Sequence, residues 1–336
     1  MMKRRELVPC CDHPVTAVII DNSEKFLFSA ALELDNKMFT FVLSRRPELM
    51  LKTLNNYKLE TFLGQTVEHL LHGDTGKART QLDLSQVYQD IYRLLRFSQR
   101  ALVLVDYDMP GLNGLEFCSQ LKSLFAHVIL VSGILPKEKA FEWQNKGLFD
   151  QFVPKQGGDF IERLDEAMAR GRQSYFRRLT EAAYGILSPA AKSELLVLAS
   201  FSAFLHKQMD VHKLCEYFTC NAHAHLMLNA AGQPFGLHVY TEEQLDKVLK
   251  LPQARSVPAS LAEELSTHRK MLCVFDPENP TWVPPGTEWP RHAHPALHLT
   301  LEGRLYRYAL AKGSILVDED RIAPFSKYED SPEARE

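Results

Sequence analysis

The sequence predicts an α/β protein: a doubly wound parallel sheet of five strands with helices on both faces, followed by a smaller α+β domain. Three observations predict it. Five short, mostly apolar runs recur through the first half of the chain, at 15–21, 38–44, 101–106, 127–133 and 149–155. A helical pattern follows each of them, and that alternation requires parallel strands joined by right-handed crossovers. The length, 336 residues, leaves room for a second domain.

"VTAVIID" (Val15–Asp21) is a continuous apolar run ending in an acid, as in a strand buried on both faces. "SEKFLFSAALELD" then has helical spacing, with Ser23 as N-cap and Phe26, Ala30 and Leu34 on one face. "MFTFVLS" is the second strand, and Pro47 suits the first turn of the helix that follows. Residues 56–99 interrupt the alternation with two helical patterns, in the second of which Val87, Ile91, Leu94 and Leu95 form one stripe. "HGDTGKA" between them lacks the first glycine and the final Ser or Thr of a phosphate loop, so it reads as a turn.

"ALVLVD" is the third strand, "HVILVSG" the fourth and "FDQFVPK" the fifth, with Gly147 stopping the helix between the last two. A long helix follows from 158 to 187, its stripe running through Leu164, Met168, Tyr175, Leu179, Ala182 and Ile186. It serves either to pack on its own second domain or to couple and dimerise. "SPAAKSELLVLASFSAFLHKQM" reads as a helix capped by Ser188 with Pro189 behind it. A hairpin about "NAAGQP", two short helices, and strands at "KMLCVFD", "HPALHLTLEG" and "RLYRYALA" complete the α+β half, with an irregular closing tail. The order is PAS-like. The expected division is 14–175 for the parallel-sheet domain, 158–208 for the long helix and its successor, and 209–336 for the α+β domain.

Composition excludes several classes. Lys and Arg number 39 against 42 Asp and Glu, a net charge of −3, and no helix shows a basic recognition face, so nucleic-acid binding is unsupported. No apolar run is long enough to span a membrane. The basic start is broken by Pro9 and Asp12 before a signal core can form, so a cytoplasmic location is expected. The six cysteines show no CxxC spacing. His223-Ala-His225 and His292-Ala-His294, with His298 nearby, could share a metal on one strand face; no acid stands beside them and Pro295 interrupts the second pair, so edge or surface histidines are the plainer reading.

The chemistry gathers in the first half. In a doubly wound sheet, ligands bind at the carboxyl ends of the strands. Asp21, Asp106, Ser132 and Lys155 all fall at or just past such ends. The stretch "VDYDMPGLNG" carries Asp106 and Asp108, with Met109, Pro110 and Gly114 shaping the loop; "LVSG", "FVPK" and "IIDN" supply the rest.

This set resembles the receiver domain of bacterial response regulators, a CheY-like, flavodoxin-like fold, over roughly the first half of the chain. The resemblance implies Asp106 as phosphoacceptor, Ser132 as the hydroxyl that contacts the phosphoryl group, Lys155 as its cationic partner, and Phe152 as the switch aromatic. It implies Mg²⁺ held by Asp21, Asn22, Asp106 and a backbone carbonyl near Asp108. Two departures stand out. Asn22 replaces the second acid of the usual pair, and Gln156 replaces the proline that usually follows the lysine. The whole chain resembles quorum-sensing response regulators of the Lqs type. That implies a sensor histidine kinase or phosphotransfer protein as partner, a homodimer favoured by phosphorylation, and no enzymatic activity beyond self-catalysed phosphoryl transfer. The alternatives are a phosphorylation-independent pseudo-receiver that serves as an interaction module, or an output domain that binds a nucleotide or a metal.

Overall fold

The structure, a computed structural model, describes residues 7–34, 37–71, 84–122, 125–187, 194–250, 257–276 and 288–331. Among these residues the chain forms two compact units whose segments interleave along the sequence. One holds 13–71, 94–182 and 325–331; the other holds 7–12, 84–93 and 183–324. The turn expected at "HGDTGKA" and the cap expected at Ser188 and Pro189 lie outside the described residues.

The first strand, β1 (Cys11–Asp12), belongs to the second unit. The first unit is built on β2 (Val15–Ile20), β3 (Phe39–Ser44), β4 (Arg100–Asp106), β5 (His127–Ser132) and β6 (Gln151–Pro154), in the order β3-β2-β4-β5-β6 with every neighbour parallel. This is the expected sheet. All six residues of β2 and of β5 are buried, which is why those runs show no polar alternation. Val18, Ile20, Val103, Val105 and Leu130 pack on one side with Phe117, Met109 and Phe149.

Helices α1 (Glu24–Glu33), α2 (Pro47–Asn55), α3 (Phe62–Leu71), α4 (Gly114–Gln120), α5 (Lys137–Asn145) and α6 (Phe160–Tyr184) follow the sheet strands. Ser23 caps α1 as expected, its hydroxyl accepting from the Phe26 amide, and Pro47 opens α2. The stripe at 84–98 is not an α-helix. It folds as two 3₁₀ segments, Leu84–Tyr92 and Leu94–Ser98. With three residues per turn the stripe cannot stay on one face: Val87 and Ile91 are fully buried, whereas Leu95 is 44% exposed. At the end of α6 it is Ala183 that is buried, leaving Ala182 exposed, and beyond the helix Leu187 is buried where Ile186 was expected on the stripe. Residues expected as an irregular tail include a short helix, Phe325–Glu329, whose Phe325 and Tyr328 rings pack on Phe97.

The second unit is an α+β domain on a six-stranded antiparallel sheet. It adds β7 (Leu214–Thr219), β8 (Ala224–Asn229), β9 (Pro234–Tyr240), β12 (Leu297–Leu301) and β13 (Arg304–Lys312) to β1, in the order β1-β7-β8-β9-β13-β12. A separate two-stranded ladder pairs β10 (Lys270–Leu272) with β11 (Ala293–Pro295). Helices α7 (Ala199–His212), α8 (Glu242–Leu249), α9 (Ala259–Ser266) and the single turn α10 (Trp289–His292) complete it. The hairpin about Asn229 is present, its side chain accepting from the amides of Ala231 and Gln233 at 3.0 Å each. The turn between β12 and β13 uses Glu302 and Gly303, both at positive φ, the tight form that matches strand twist.

The histidines of this unit correct an expectation. His225 is completely buried on a central strand rather than at an edge or surface, with Nδ1 3.1 Å from the Thr219 hydroxyl and its ring against Phe201. His238 is equally buried, with Nε2 3.0 Å from Ser314 Oγ. Desolvation pushes both imidazoles down to about 3 from an ordinary 6.5. The folded value lies below the unfolded one, so the unfolded chain binds the extra protons. Stability is therefore complete above pH 6.5 and is lost as pH falls toward 3, with a slope of about 1.4 kcal/mol per pH unit for each histidine. Urea unfolding at pH 7.5 and pH 5 measures this: the antiparallel unit has its midpoint at lower urea at pH 5, and His238→Gln flattens the difference.

Candidate functional site

Strand register builds the site. Ile20 lies beside Val105, so Asp21 emerges next to Asp106; Asp106 lies beside Val131, one residue before Ser132; Ser132 lies beside Pro154, one residue before Lys155. The strand order reverses between β2 and β4, and a crevice opens at such a reversal. The four side chains named from sequence therefore share one rim. The Lys155 ammonium sits 2.5 Å from Asp21 Oδ2 and 2.8 Å from Asp106 Oδ1. Its side chain is 23% exposed, against 1% for Asp21 and 7% for Asp106, so the lysine forms the lid of the carboxylate pair.

Local sequence fixes each donor. Asp21 Oδ1 accepts from the Ser23 amide at 2.7 Å, turning the chain into α1. Asp106 Oδ2 accepts from the Asp108 amide at 3.1 Å. The Asn113 side chain accepts from the amides of Leu115 and Glu116, and the Glu116 carboxylate accepts from the Asn113 amide, a reciprocal cap that ends the loop. Gly114 is required by close approach: a Cβ there would lie 2.4 Å from the Asp106 carbonyl oxygen and 2.9 Å from Tyr107 Cα. Both obstacles are backbone, so Gly114→Ala displaces the segment carrying Asp106. The expected loss of stability is about 1–3 kcal/mol, read as a lower unfolding midpoint.

Ser132 Oγ accepts from the amides of Ile134 and Leu135 at 3.1 and 3.0 Å, which holds the hydroxyl at the rim. The Lys155 amide donates to the Ser132 carbonyl at 2.8 Å. Gln156 donates through Nε2 to the Gly133 carbonyl at 2.6 Å, so the loop after Lys155 is tied to the loop after Ser132 by a side chain instead of by a proline. Phe152 is half-buried against the sheet core. Asn22 and Asp108 lie at the same rim with exposed side chains.

Two buried carboxylates share one ammonium, leaving an excess negative charge. Burial pushes the Asp106 carboxyl above its ordinary value; the bond to Lys155 and its charge pull it back, Asp21 pushes it up again, and the Asp108 amide lowers it. Because Asp21 and Asp106 already converge on one nitrogen, their oxygens define a point that one small cation can share. Hard oxygen donors fit Mg²⁺. Among the described residues no three His, Cys, Asp or Glu side chains gather for a metal, at this rim or among the histidines of the second unit.

No protein-family model matches the sequence, and no curated protein matches it. Among solved structures, the chain is similar to the response regulator LqsR of Legionella pneumophila, with 23% identity and a TM-score of 0.78 over 98% of this chain and 99% of that one. This chain has the fold of LqsR over nearly its whole length. Isolated receiver domains also align with it: that of the Francisella response regulator 1452, at 14% identity over 49% of this chain and 99% of that one with a TM-score of 0.32, and one from Clostridium thermocellum, at 13% identity over 47% and 94% with a TM-score of 0.31. Both units fall within the length shared with LqsR.

Sequence reading passed over Phe26. Its ring centroid lies 4.2 Å from the Lys155 ammonium. The helical stripe marked it as a core position; its place in the first turn after a strand end was the signal for the rim. The second unit holds a cavity of about 330 Å³ lined by Glu194, His223, Gln244, Arg304 and Tyr306 among others. There Arg304 pairs with Glu194 at 2.5 Å and the Tyr306 hydroxyl donates to Glu194 at 3.2 Å.

Proposed function

We propose that this protein is a two-component response regulator that accepts a phosphoryl group on Asp106 in a Mg²⁺-dependent reaction. The observation that carries the reading is the Lys155 ammonium within 2.8 Å of both Asp21 and Asp106 at the strand-order reversal. Asp21, Asp106, the Asn22 side-chain oxygen and a backbone carbonyl near Asp108 would hold Mg²⁺. When bound, the ion offsets the repulsion between the carboxylate and an incoming phosphoryl group.

The rest is done by the chain. An Asp106 carboxylate oxygen attacks phosphorus. The bond from phosphorus to the donor, a kinase histidine or a small acyl phosphate, breaks with its electron pair leaving on the donor. Lys155 stabilises the oxygens on which charge gathers. The Ser132 hydroxyl donates to one of them, and Phe152 repacks as Ser132 moves. That couples local charge to a two-state surface. A sensor histidine kinase or phosphotransfer protein is the partner, and phosphorylation favours a homodimer. The likeness to LqsR over nearly all of both chains supports an Lqs-type, quorum-sensing role in the cytoplasm, with no catalysis beyond self-phosphorylation.

Incubation with Mg²⁺ and acetyl phosphate, followed by intact mass, tests the reading. One added phosphoryl group in the Mg²⁺ arm and none with EDTA is expected. An unchanged mass in both arms, with the protein folded, overturns it. Asn22 favours a second reading, since a single acid faces the metal from the β2 loop. A phosphorylation-independent module would keep its mass and its oligomeric state in every arm.

A further inference from the structure

We propose that Phe26 is a positioning residue for Lys155, its ring holding the ammonium on the carboxylate pair and keeping water away from it. The inference rests on the phosphoryl-transfer reading for its consequence, but not for its geometry. Lys155 Nζ has three faces. Two point to Asp21 and Asp106, at 2.5 and 2.8 Å. The third lies over the Phe26 ring, 4.2 Å from its centroid. An aromatic face attracts a cation through its quadrupole, more strongly where water is excluded. The carboxylates beneath are almost fully buried, and Phe160 backs the ring with centroids 5.9 Å apart.

The contacts close a circle. Asp21 accepts from the Ser23 amide, Ser23 Oγ accepts from the Phe26 amide at 3.2 Å, Phe26 faces Lys155, and Lys155 returns to Asp21. The helix cap therefore sets the ring over the lysine, and the acid that anchors the lysine also anchors the cap. An aliphatic side chain in that place fills the space without attracting the charge. Holding Lys155 at the rim keeps its charge where the transferring phosphoryl group develops negative charge, instead of letting a four-carbon chain drift into solvent.

Shape and charge are separated by replacing Phe26 site-specifically with 4-fluoro-, 3,5-difluoro- and 3,4,5-trifluorophenylalanine in the full chain. Fluorine drains the ring face while nearly preserving its outline, so the fold is retained. Two rates are read: reductive methylation of Lys155, by peptide mapping, and Mg²⁺-dependent phosphorylation of Asp106 from acetyl phosphate. Methylation of Lys155 is expected to rise with each fluorine, and phosphorylation to fall in step. Phe26→Leu gives the largest change, about tenfold, and Phe26→Trp restores both rates. A Lys155 methylation rate that ignores fluorination and Phe26→Leu overturns the inference. If the wild-type chain takes no phosphoryl group, the methylation series still decides the role of Phe26, while the phosphoryl-transfer reading falls separately.

Discussion

Asp106→Asn removes phosphoryl uptake altogether while leaving the protein at least as stable. The amide keeps the shape and one oxygen of the carboxylate, so the Asp108 amide, 3.1 Å from Asp106 Oδ2 in the parent, still finds an acceptor. What it loses is the nucleophile. An amide oxygen neither attacks phosphorus at a useful rate nor carries the charge that holds a metal. The stability side follows from burial. The Asp106 carboxyl is held above its ordinary value chiefly by desolvation, so folding at neutral pH works against its charged form. The folded value exceeds the unfolded one; the carboxyl's cost to stability is absent below the unfolded value and grows as pH rises through the folded one. Removing the charge relieves that cost, and Lys155 keeps Asp21 as partner. The expected result is a thermal midpoint equal to or above the parent at pH 7 and no mass gain with acetyl phosphate. Loss of function with retained stability is the pattern of a site that trades one for the other.

Lys155→Met has the opposite profile. The thioether fills the volume of the lysine stem, so the cost is electrostatic. Asp21 and Asp106 lose their shared cation, and two carboxylates with 1% and 7% exposure face each other unpaired. Breaking a buried pair by deleting one partner costs about 3–5 kcal/mol. The lysine side chain is 23% exposed, which places the expected loss at pH 7 near the low end, about 3 kcal/mol. Protonation of Asp106 relieves it, so the deficit shrinks as pH falls, and a pair of melting curves at pH 7.5 and pH 5 measures the trend. Phosphoryl uptake falls about 10²–10³-fold, the usual cost of removing one preorganised charge-stabilising donor. Asp106→Asn and Lys155→Met thus separate nucleophile from cation: one abolishes transfer at no cost in stability, the other weakens both.

Much of this was legible in the sequence because the physics is local. A strand buried on both faces has nowhere to put a polar residue, so β2, β4 and β5 stand out as unbroken apolar runs, and the first polar side chain after each marks its end. Asp21, Asp106 and Ser132 were found that way, and Lys155 by the same rule on a shorter strand. β7 escaped because helix α7 stops at Lys213, which adopts the left-handed conformation at φ 53° without a glycine to announce it. β1 is two residues long and acquires strand character only through its pairing of Cys11 with Phe218 and Asp12 with Tyr217. Burial of His225 was hidden because β7, the strand that covers one side of it, was not foreseen, and that of His238 because β13, on its far side, comes from distant sequence. The role of Gln156 depends on where the loop after Ser132 passes, which no spacing encodes.

One measurement reaches the central claim most directly: a crystal structure of the protein with Mg²⁺ and beryllofluoride. The account predicts the fluoride adduct on an Asp106 carboxylate oxygen, a metal ion shared by Asp21 and Asp106, Lys155 in contact with the adduct, and the Ser132 hydroxyl turned toward it. Crystals grown under the same conditions with no adduct at Asp106, and with Lys155 still bridging Asp21 and Asp106, would contradict it.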